Sequence, residues 1–300
     1  MKRDNKLWLR LIALLAVALL TLAACGEDEE PNTEPGGGDD TEETSDGGDY
    51  TLLKEGTLTV GSDIPYPPFE FQEDDGTLTG YDVDLVRAIA DKLGLANEDE
   101  DWLSVDFGTI FTQLQSKSRK FDIVVAAVTG YALEGSPASE VVAERTSLID
   151  FTDPYYPSLQ SLTVDTSVTS YTSIDEIPDG AKIAVQSATT GAFFAQENVP
   201  QAELVEFNKA PGMYTALQAG QVEGVINDLP VSLDAISDLE NLEVVEQLET
   251  GEEYAIAVAK DNPALTEAIN EALAELIEDG TFQEIFEKYF PDQELPSYAQ

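Results

Sequence analysis

The feature that most limits what this chain can fold into is the alternation of short apolar runs with amphipathic helical ones between Leu58 and Tyr289. Leu58-Thr59-Val60 reads as a strand, and Phe121–Val128 (FDIVVAAV), Lys182–Val185 and Val222–Ile226 read as buried strands. Tyr81–Leu93 sets Val83, Val86, Ile89, Ala90 and Leu93 at helical spacing ahead of Gly94. A second helix is predicted over Pro263–Glu278, with Asn262 as its cap, Pro263 in the first turn and Gly280 beyond its end. Its apolar stripe is Leu265, Ile269, Ala272, Leu273 and Leu276. Thr281 and Glu284 have the spacing of a capping box for a last helix ending near Tyr289. Strands joined through helices require right-handed crossovers and a mostly parallel sheet covered on both faces, which is the α/β class. In such folds a ligand lies beyond the carboxyl ends of the strands, where helix N-termini point.

The first 24 residues belong to no fold. Lys2, Arg3, Lys6 and Arg10 make a basic start, and the apolar run Leu11–Ala24 is too short to span a bilayer comfortably but suits the core of a secretory signal peptide. It ends in Leu22-Ala23-Ala24-Cys25, which resembles a bacterial lipobox, where the cysteine is acylated and becomes the new N-terminus. Cys25 is the only cysteine of the 300 residues, so no intramolecular disulfide competes for it. Residues 26–49 hold eleven acidic and no hydrophobic side chains, a composition that cannot bury enough surface to offset the entropy of ordering. Residues 25–50 are therefore expected to be a lipidated acidic tether, extended by self-repulsion. No later segment is apolar enough to cross a membrane. The mature chain is expected on the outer face of the cell membrane or in a periplasm, held there by its lipid.

From Tyr50 onward the chain carries 11 basic and 47 acidic residues, a net charge of −36 that lies on the globular part itself. Such a surface repels nucleic acid and anionic lipid as partners. An excess spread this evenly reads as a solvation device, an adaptation to high salt, rather than as a site for a cationic ligand. The chain has no histidine, which excludes His-based triads, His–metal sites and His proton shuttles. No metal or cofactor is expected, and any chemistry falls to carboxylates, Ser/Thr, Lys or Tyr.

Several short motifs resemble the family 3 solute-binding proteins, the polar amino-acid receptors of ABC importers. In order they are Leu58-Thr59-Val60-Gly61-Ser62-Asp63, Tyr66-Pro67-Pro68-Phe69-Glu70-Phe71, Gly80-Tyr81-Asp82-Val83-Asp84-Leu85 and Phe121-Asp122. Asp150-Phe151-Thr152-Asp153-Pro154-Tyr155-Tyr156, Gln186-Ser187-Ala188-Thr189-Thr190-Gly191 and Gly220-Gln221-Val222-Glu223 follow. The resemblance covers about Gly56 to Phe290 and implies a two-lobe periplasmic-binding-protein-like fold of type II, hinged on two strands. Lobe 1 is placed at 51–157 plus 254–300 and lobe 2 at 158–253, with crossings at Gln160–Asp165 and Tyr254–Ala259. The implied role is that of an extracellular receptor, a monomer, which closes like a clam on an amino acid or similar small polar solute and delivers it to an ABC permease.

A zwitterion taken from water needs a partner for each charge. Its carboxylate is best met by arginine. Of the three arginines beyond the signal, Arg87 and Arg119 read as solvated, while Arg145 stands five residues before Asp150, the family's spacing for a carboxylate clamp. The resemblance adds Thr189 and Thr190 at a helix N-terminus, where free N–H groups favour an anion. It also implies a further hydroxyl donor for the carboxylate from Thr129, the Ala127 carbonyl and Asp228 for the ammonium, aromatic walls from Tyr66 and Phe107, and Asp63 at the side-chain end, where it favours a basic ligand. The chain departs from the pattern in a longer spacer between Thr129 and Arg145 and in Val142, where the family has threonine. One carboxylate donor is then missing, or replaced by Ser136 or Ser139. Ala188 also stands where the family has glycine. The rival reading is a cyclohexadienyl-dehydratase-like enzyme on the same fold.

The halophilic reading has a direct check. Raising salt from ~0.1 M to ~1 M shortens the Debye length from about 10 Å to about 3 Å, so the folded domain is expected to melt at a higher temperature in the stronger salt. A melting temperature that stays flat or falls between the two contradicts that reading.

Overall fold

The structure, a computed structural model, describes residues 50–300. The expected signal peptide, the acylated Cys25 and the tether up to residue 49 lie outside the described residues. In chain order the strands and helices are β1 (Val60–Ser62), β2 (Phe71–Gln72), β3 (Leu78–Thr79), α1 (Tyr81–Lys92), β4 (Trp102–Ser104), α2 (Phe107–Gln115), β5 (Ile123–Val124), β6 (Thr129–Tyr131) and α3 (Pro137–Leu148). They continue with β7 (Ile149–Asp165), β8 (Lys182–Gln186), α4 (Thr190–Asn198), β9 (Glu203–Phe207), α5 (Ala210–Gln218), β10 (Gly224–Asp228), α6 (Leu229–Ile236), β11 (Leu242–Ala259), α7 (Pro263–Asp279) and α8 (Thr281–Tyr289). No helix among the described residues is long and apolar enough to cross a membrane.

One sheet runs in the order β4-β1-β5-β11-β7-β10-β8-β9, with β6 paired to β11. At one side β4, β1 and β5 are parallel, and at the other β10, β8 and β9 are parallel. Between them β7 and β11 form a long antiparallel ribbon. β11 pairs with β5 through Ala257 and Val258, and β7 pairs with β10 through Gln160–Val164. The two expected crossings, Gln160–Asp165 and Tyr254–Ala259, are the ends of these longer strands. The ribbon breaks register in its middle, where Leu248 faces Gln160 but Glu252 faces Ser158. The fold is a two-lobe α/β architecture joined by two strands.

An aromatic cluster pins the base of this ribbon. Phe69 is fully buried and meets Tyr156 of β7 at 5.2 Å, Tyr254 of β11 at 5.3 Å and Phe290, just past α8, at 5.6 Å between ring centroids. The first two are edge-on, the geometry that aromatic quadrupoles favour. Gly80, which precedes α1, has φ 132, and a Cβ there would stand 2.0 Å from the Phe69 carbonyl oxygen, so only glycine permits this approach. Each half of the sheet has its own apolar face: Ile110, Leu114, Phe121 and Val124 on one, Ile183, Val185, Ala195 and Ile226 on the other.

Local details differ from the sequence pattern for identifiable reasons. The run Phe121–Val128 pairs as a strand only at Ile123–Val124, because Ala127 turns into the left-handed region (φ 46) before β6 begins. Asp82 sits inside this turn and accepts hydrogen bonds from the Ala127 N–H and the Tyr155 hydroxyl, both at 3.0 Å. Thr281 and Glu284 do not make a capping box. Gly280 is the N-cap of α8, and the Thr281 N–H instead donates to Asp279 at 2.9 Å. Asn262 precedes α7 without capping it. Its carboxamide pairs with the Thr51 backbone, accepting at 3.3 Å and donating at 2.8 Å, which ties the start of the domain to the start of that helix.

Candidate functional site

The ends of β1, β8 and β10, the turn at Ala127 and the start of α4 converge on one cleft. It is lined by Asp63, Tyr66, Phe107, Ala126, Ala127, Thr129, Arg145, Gln186, Thr189, Thr190 and Asp228. All nine side chains named from the sequence as ligand contacts therefore come together. The cleft is closed on itself, with a free volume of about 20 Å³, room for roughly one water. A solute can enter only when the lobes part.

Arg145 reaches the cleft on α3, and the longer spacer is what builds that helix. Ser136 is its N-cap, accepting from the Ser139 N–H, and Pro137 opens the first turn. The Ser139 hydroxyl donates to the Ser136 carbonyl at 2.6 Å. Both serines are spent on the helix start and neither lines the cleft, so neither replaces the missing donor. Arg145 is 5% exposed, donates to the Thr129 carbonyl at 2.9 Å and the Ala188 carbonyl at 3.4 Å, and lies 5.3 and 5.1 Å from the ring centroids of Phe107 and Phe111. Phe107 thus packs against the guanidinium as well as walling the cleft. Burial lowers the Arg145 pKa to about 10, partly offset by the charges of Glu252 and Asp228, so the group stays protonated at neutral pH. Ala188 accepts a left-handed conformation (φ 64) at the position where glycine was expected, a strain of roughly 1 kcal/mol or more.

The two threonines at the start of α4 do different work. The Thr189 hydroxyl caps the helix, accepting from the Ala192 N–H at 3.1 Å and donating to the Gln186 carbonyl at 2.8 Å. The Thr190 hydroxyl donates to Glu252 at 2.6 Å, and the Thr129 hydroxyl donates to the same carboxylate oxygen at 2.7 Å. A hydroxyl has one proton to give. Thr129 and Thr190 therefore face the cleft as acceptors, and an anion there is met by Arg145 and by the first N–H groups of α4.

Asp228 ends β10. It accepts from the Tyr66 hydroxyl at 2.6 Å and from the Gln160 carboxamide at 2.5 Å, and Gln160 also reaches Glu252 at 3.4 Å. Burial, then the neighbouring Glu252 charge, raises the Asp228 pKa to about 6, against the hydrogen bonds that favour its ionised form. Gly191 allows this cluster, because a Cβ there would lie 2.6 Å from Gln160 Oε1. Asp63, at the end of β1, is 2% exposed, accepts from Gln186 at 2.6 Å and is ion-paired with Lys209. Sequence reasoning missed Gln160, Glu252 and Lys209, and did not single out Ala126 or the side chain of Gln186. Nothing local separates Glu252 from the many surface carboxylates; only its place in the ribbon does. Among the described residues no group of three or more His, Cys, Asp or Glu could hold a metal ion.

The sequence profile of the bacterial extracellular solute-binding proteins, family 3, matches residues 58–292. The L-cystine-binding protein TcyJ of Escherichia coli (strain K12) is 30% identical over 249 residues, covering 82% of this chain and 87% of that protein. The ABC transporter glutamine-binding protein GlnH of Bacillus subtilis (strain 168) is 26% identical, covering 95% and 96%. Among solved structures, an ancestral arginine-binding protein bound to glutamine is similar at a TM-score of 0.70 with 33% identity, covering 80% of this chain and all of that one.

The raised pKa of Asp228 makes a stability prediction that needs no ligand. A carboxyl that binds its proton more tightly folded than unfolded loses stability as pH rises from about 4 to about 6. Asp228→Asn removes that loss, so the variant is expected to gain on wild type across this window, by an amount on the order of 1–3 kcal/mol. Melting temperatures at pH 4 and pH 7 check it. A variant that loses ground to wild type as pH rises contradicts the placement of Asp228 as a buried carboxylate.

Proposed function

The chain belongs to the bacterial extracellular solute-binding proteins, family 3, and on that premise we propose that it captures a free α-amino acid in the interlobe cleft by closure and presents it to an ABC permease. The observation that carries this reading is the pair of opposite buried charges, Arg145 and Asp228, brought to one cleft from different parts of the sheet. Arg145, with the N-terminus of α4, suits a carboxylate. Asp228, the Ala127 carbonyl and the acceptor faces of Thr129 and Thr190 suit an ammonium. The lobe division at 51–157 plus 254–300 against 158–253 is supported by the register break of the β7–β11 ribbon opposite Ser158 and Gln160. A monomer suffices, since every group of the cleft comes from one chain.

The dehydratase alternative requires an acid that delivers a proton to a departing hydroxyl. Asp228, with a pKa of about 6, is mostly ionised at neutral pH, and a ligand ammonium beside it would hold it so. That protonation state serves a receptor better than a proton donor.

Calorimetry with L-amino acids tests the reading. Arg145→Ala is expected to weaken binding more than about a hundredfold, because one partner of a buried charge pair is removed. Arg145→Lys should recover it only in part, since an ammonium cannot make the fork. N-acetylation or esterification of a bound amino acid should eliminate binding. An Arg145→Ala variant that binds like wild type overturns the site, and turnover of prephenate or arogenate by the wild type replaces the receptor with an enzyme.

We further propose that Cys25 is acylated and that residues 26–49 hold the domain off the outer face of the membrane. Cys25→Ser should then move the protein from the membrane fraction into the medium. Unchanged membrane association would refute the anchor.

A further inference from the structure

Beyond Arg145 and Asp228, the cleft is lined by a third polar group, Asp63 and Gln186, and Lys209 is ion-paired to Asp63 from outside that lining. The alpha groups of an amino acid are the same in every ligand, so this third group is what can tell side chains apart. Asp63 alone would favour a cation. Both its oxygens, however, are already engaged, Oδ1 by the Lys209 ammonium and Oδ2 by the Gln186 carboxamide at 2.6 Å. Lys209 precedes α5, in the half of the sheet opposite β1, and its ammonium also donates to the Ile64 carbonyl at 3.0 Å. The chain has supplied its own counter-cation. A ligand guanidinium or ammonium that shares Asp63 meets the Lys209 charge beside it, so the pair it forms is offset by repulsion.

The orientation of Gln186 is fixed by its two partners. Its Nε2 donates to Asp63 and, at 3.2 Å, to the Asn208 carbonyl, and both of these can only accept. Its Oε1 is therefore an acceptor, and it is buried without a hydrogen-bond partner while the residue lines the cleft. A buried carbonyl left in this state calls for a donor. The cleft wall thus offers one open acceptor, Gln186 Oε1, beside a carboxylate whose charge Lys209 already balances. A carboxamide side chain meets it with a neutral N–H donor. A hydrocarbon would leave Gln186 unpaired, a carboxylate would set acceptors against Gln186 and Asp63, and a cation would be repelled by Lys209.

Resting on the amino-acid reading above, we propose that the side-chain end of the cleft selects a neutral carboxamide, as in glutamine or asparagine, and that Lys209 is the residue that excludes cationic side chains. The test is calorimetric titration of the full chain with L-glutamine, L-asparagine, L-glutamate, L-arginine and L-lysine, for wild type, Lys209→Met and Lys209→Arg. Wild type is expected to bind L-glutamine or L-asparagine about tenfold or more tighter than L-arginine and L-lysine. Lys209→Met leaves the buried Asp63 carboxylate without its cation, so the order should reverse, with L-arginine or L-lysine gaining about tenfold or more. Lys209→Arg keeps the charge and should keep the wild-type order, which holds the test open if the methionine variant fails to fold. Wild type that binds L-arginine or L-lysine tightest, or a Lys209→Met variant with unchanged order, overturns the carboxamide assignment alone. Wild type that binds none of these and no other L-amino acid overturns the amino-acid reading and this assignment with it.

Discussion

Arg145 has lost nearly all contact with water, and a guanidinium in that position must be compensated by its surroundings or not be there at all. Two backbone carbonyls, two aromatic rings and the carboxylates of Glu252 and Asp228 share that task. The compensation is deliberately incomplete in hydrogen-bond terms: a guanidinium has five N–H groups and the protein carbonyls take only two. The remaining fork is what an incoming carboxylate can use. The arrangement also explains why α3 exists. A loop could carry an arginine to the cleft, but a capped helix packed on the sheet fixes its reach before any ligand arrives.

The same groups hold the two sides of the cleft together. Tyr66 with Asp228, Gln186 and Lys209 with Asp63, Arg145 with the Ala188 carbonyl, and Glu252 between Thr129 and Thr190 all bridge elements that lie on different sides of the β7–β11 ribbon. A ligand in the cleft competes with, and adds to, these internal partners. Opening exposes several charges to water at once, which offsets much of their desolvation. The aromatic cluster around Phe69 has no polar alternative in water and anchors the ribbon in either state.

Much of the lining of the cleft was legible in the sequence. Arg145, Asp228, Asp63, Tyr66 and Phe107 were reached through motif spacing, and spacing survives folding when strands end at fixed positions. Thr129 and Thr190 were placed correctly in the cleft, yet the direction of their hydroxyl protons was not readable, because it depends on Glu252, more than sixty residues away from either in sequence. Ser136 and Ser139 show the opposite error. As isolated hydroxyls near Arg145 they invite a ligand role, but the helix they begin consumes them. The strand expected over Phe121–Val128 failed at Ala127 for a related reason: apolar composition says that a segment is buried, not that its backbone stays extended.

The sequence by itself determined the α/β class, the positions of several strands and of three helices, and the absence of histidine chemistry. These follow from local periodicity, turn residues and composition, which need no knowledge of what lies across the fold. Only the tertiary structure decided which carboxylates are buried and paired. Glu252 looks like any of its many acidic neighbours until the ribbon turns it toward Thr129 and Thr190, and Asp63, though marked by its motif, meets its counter-charge Lys209 only in the folded chain. Protonation, hydrogen-bond direction and counter-charge are set by neighbours in space, and those neighbours come from segments that sequence distance keeps apart.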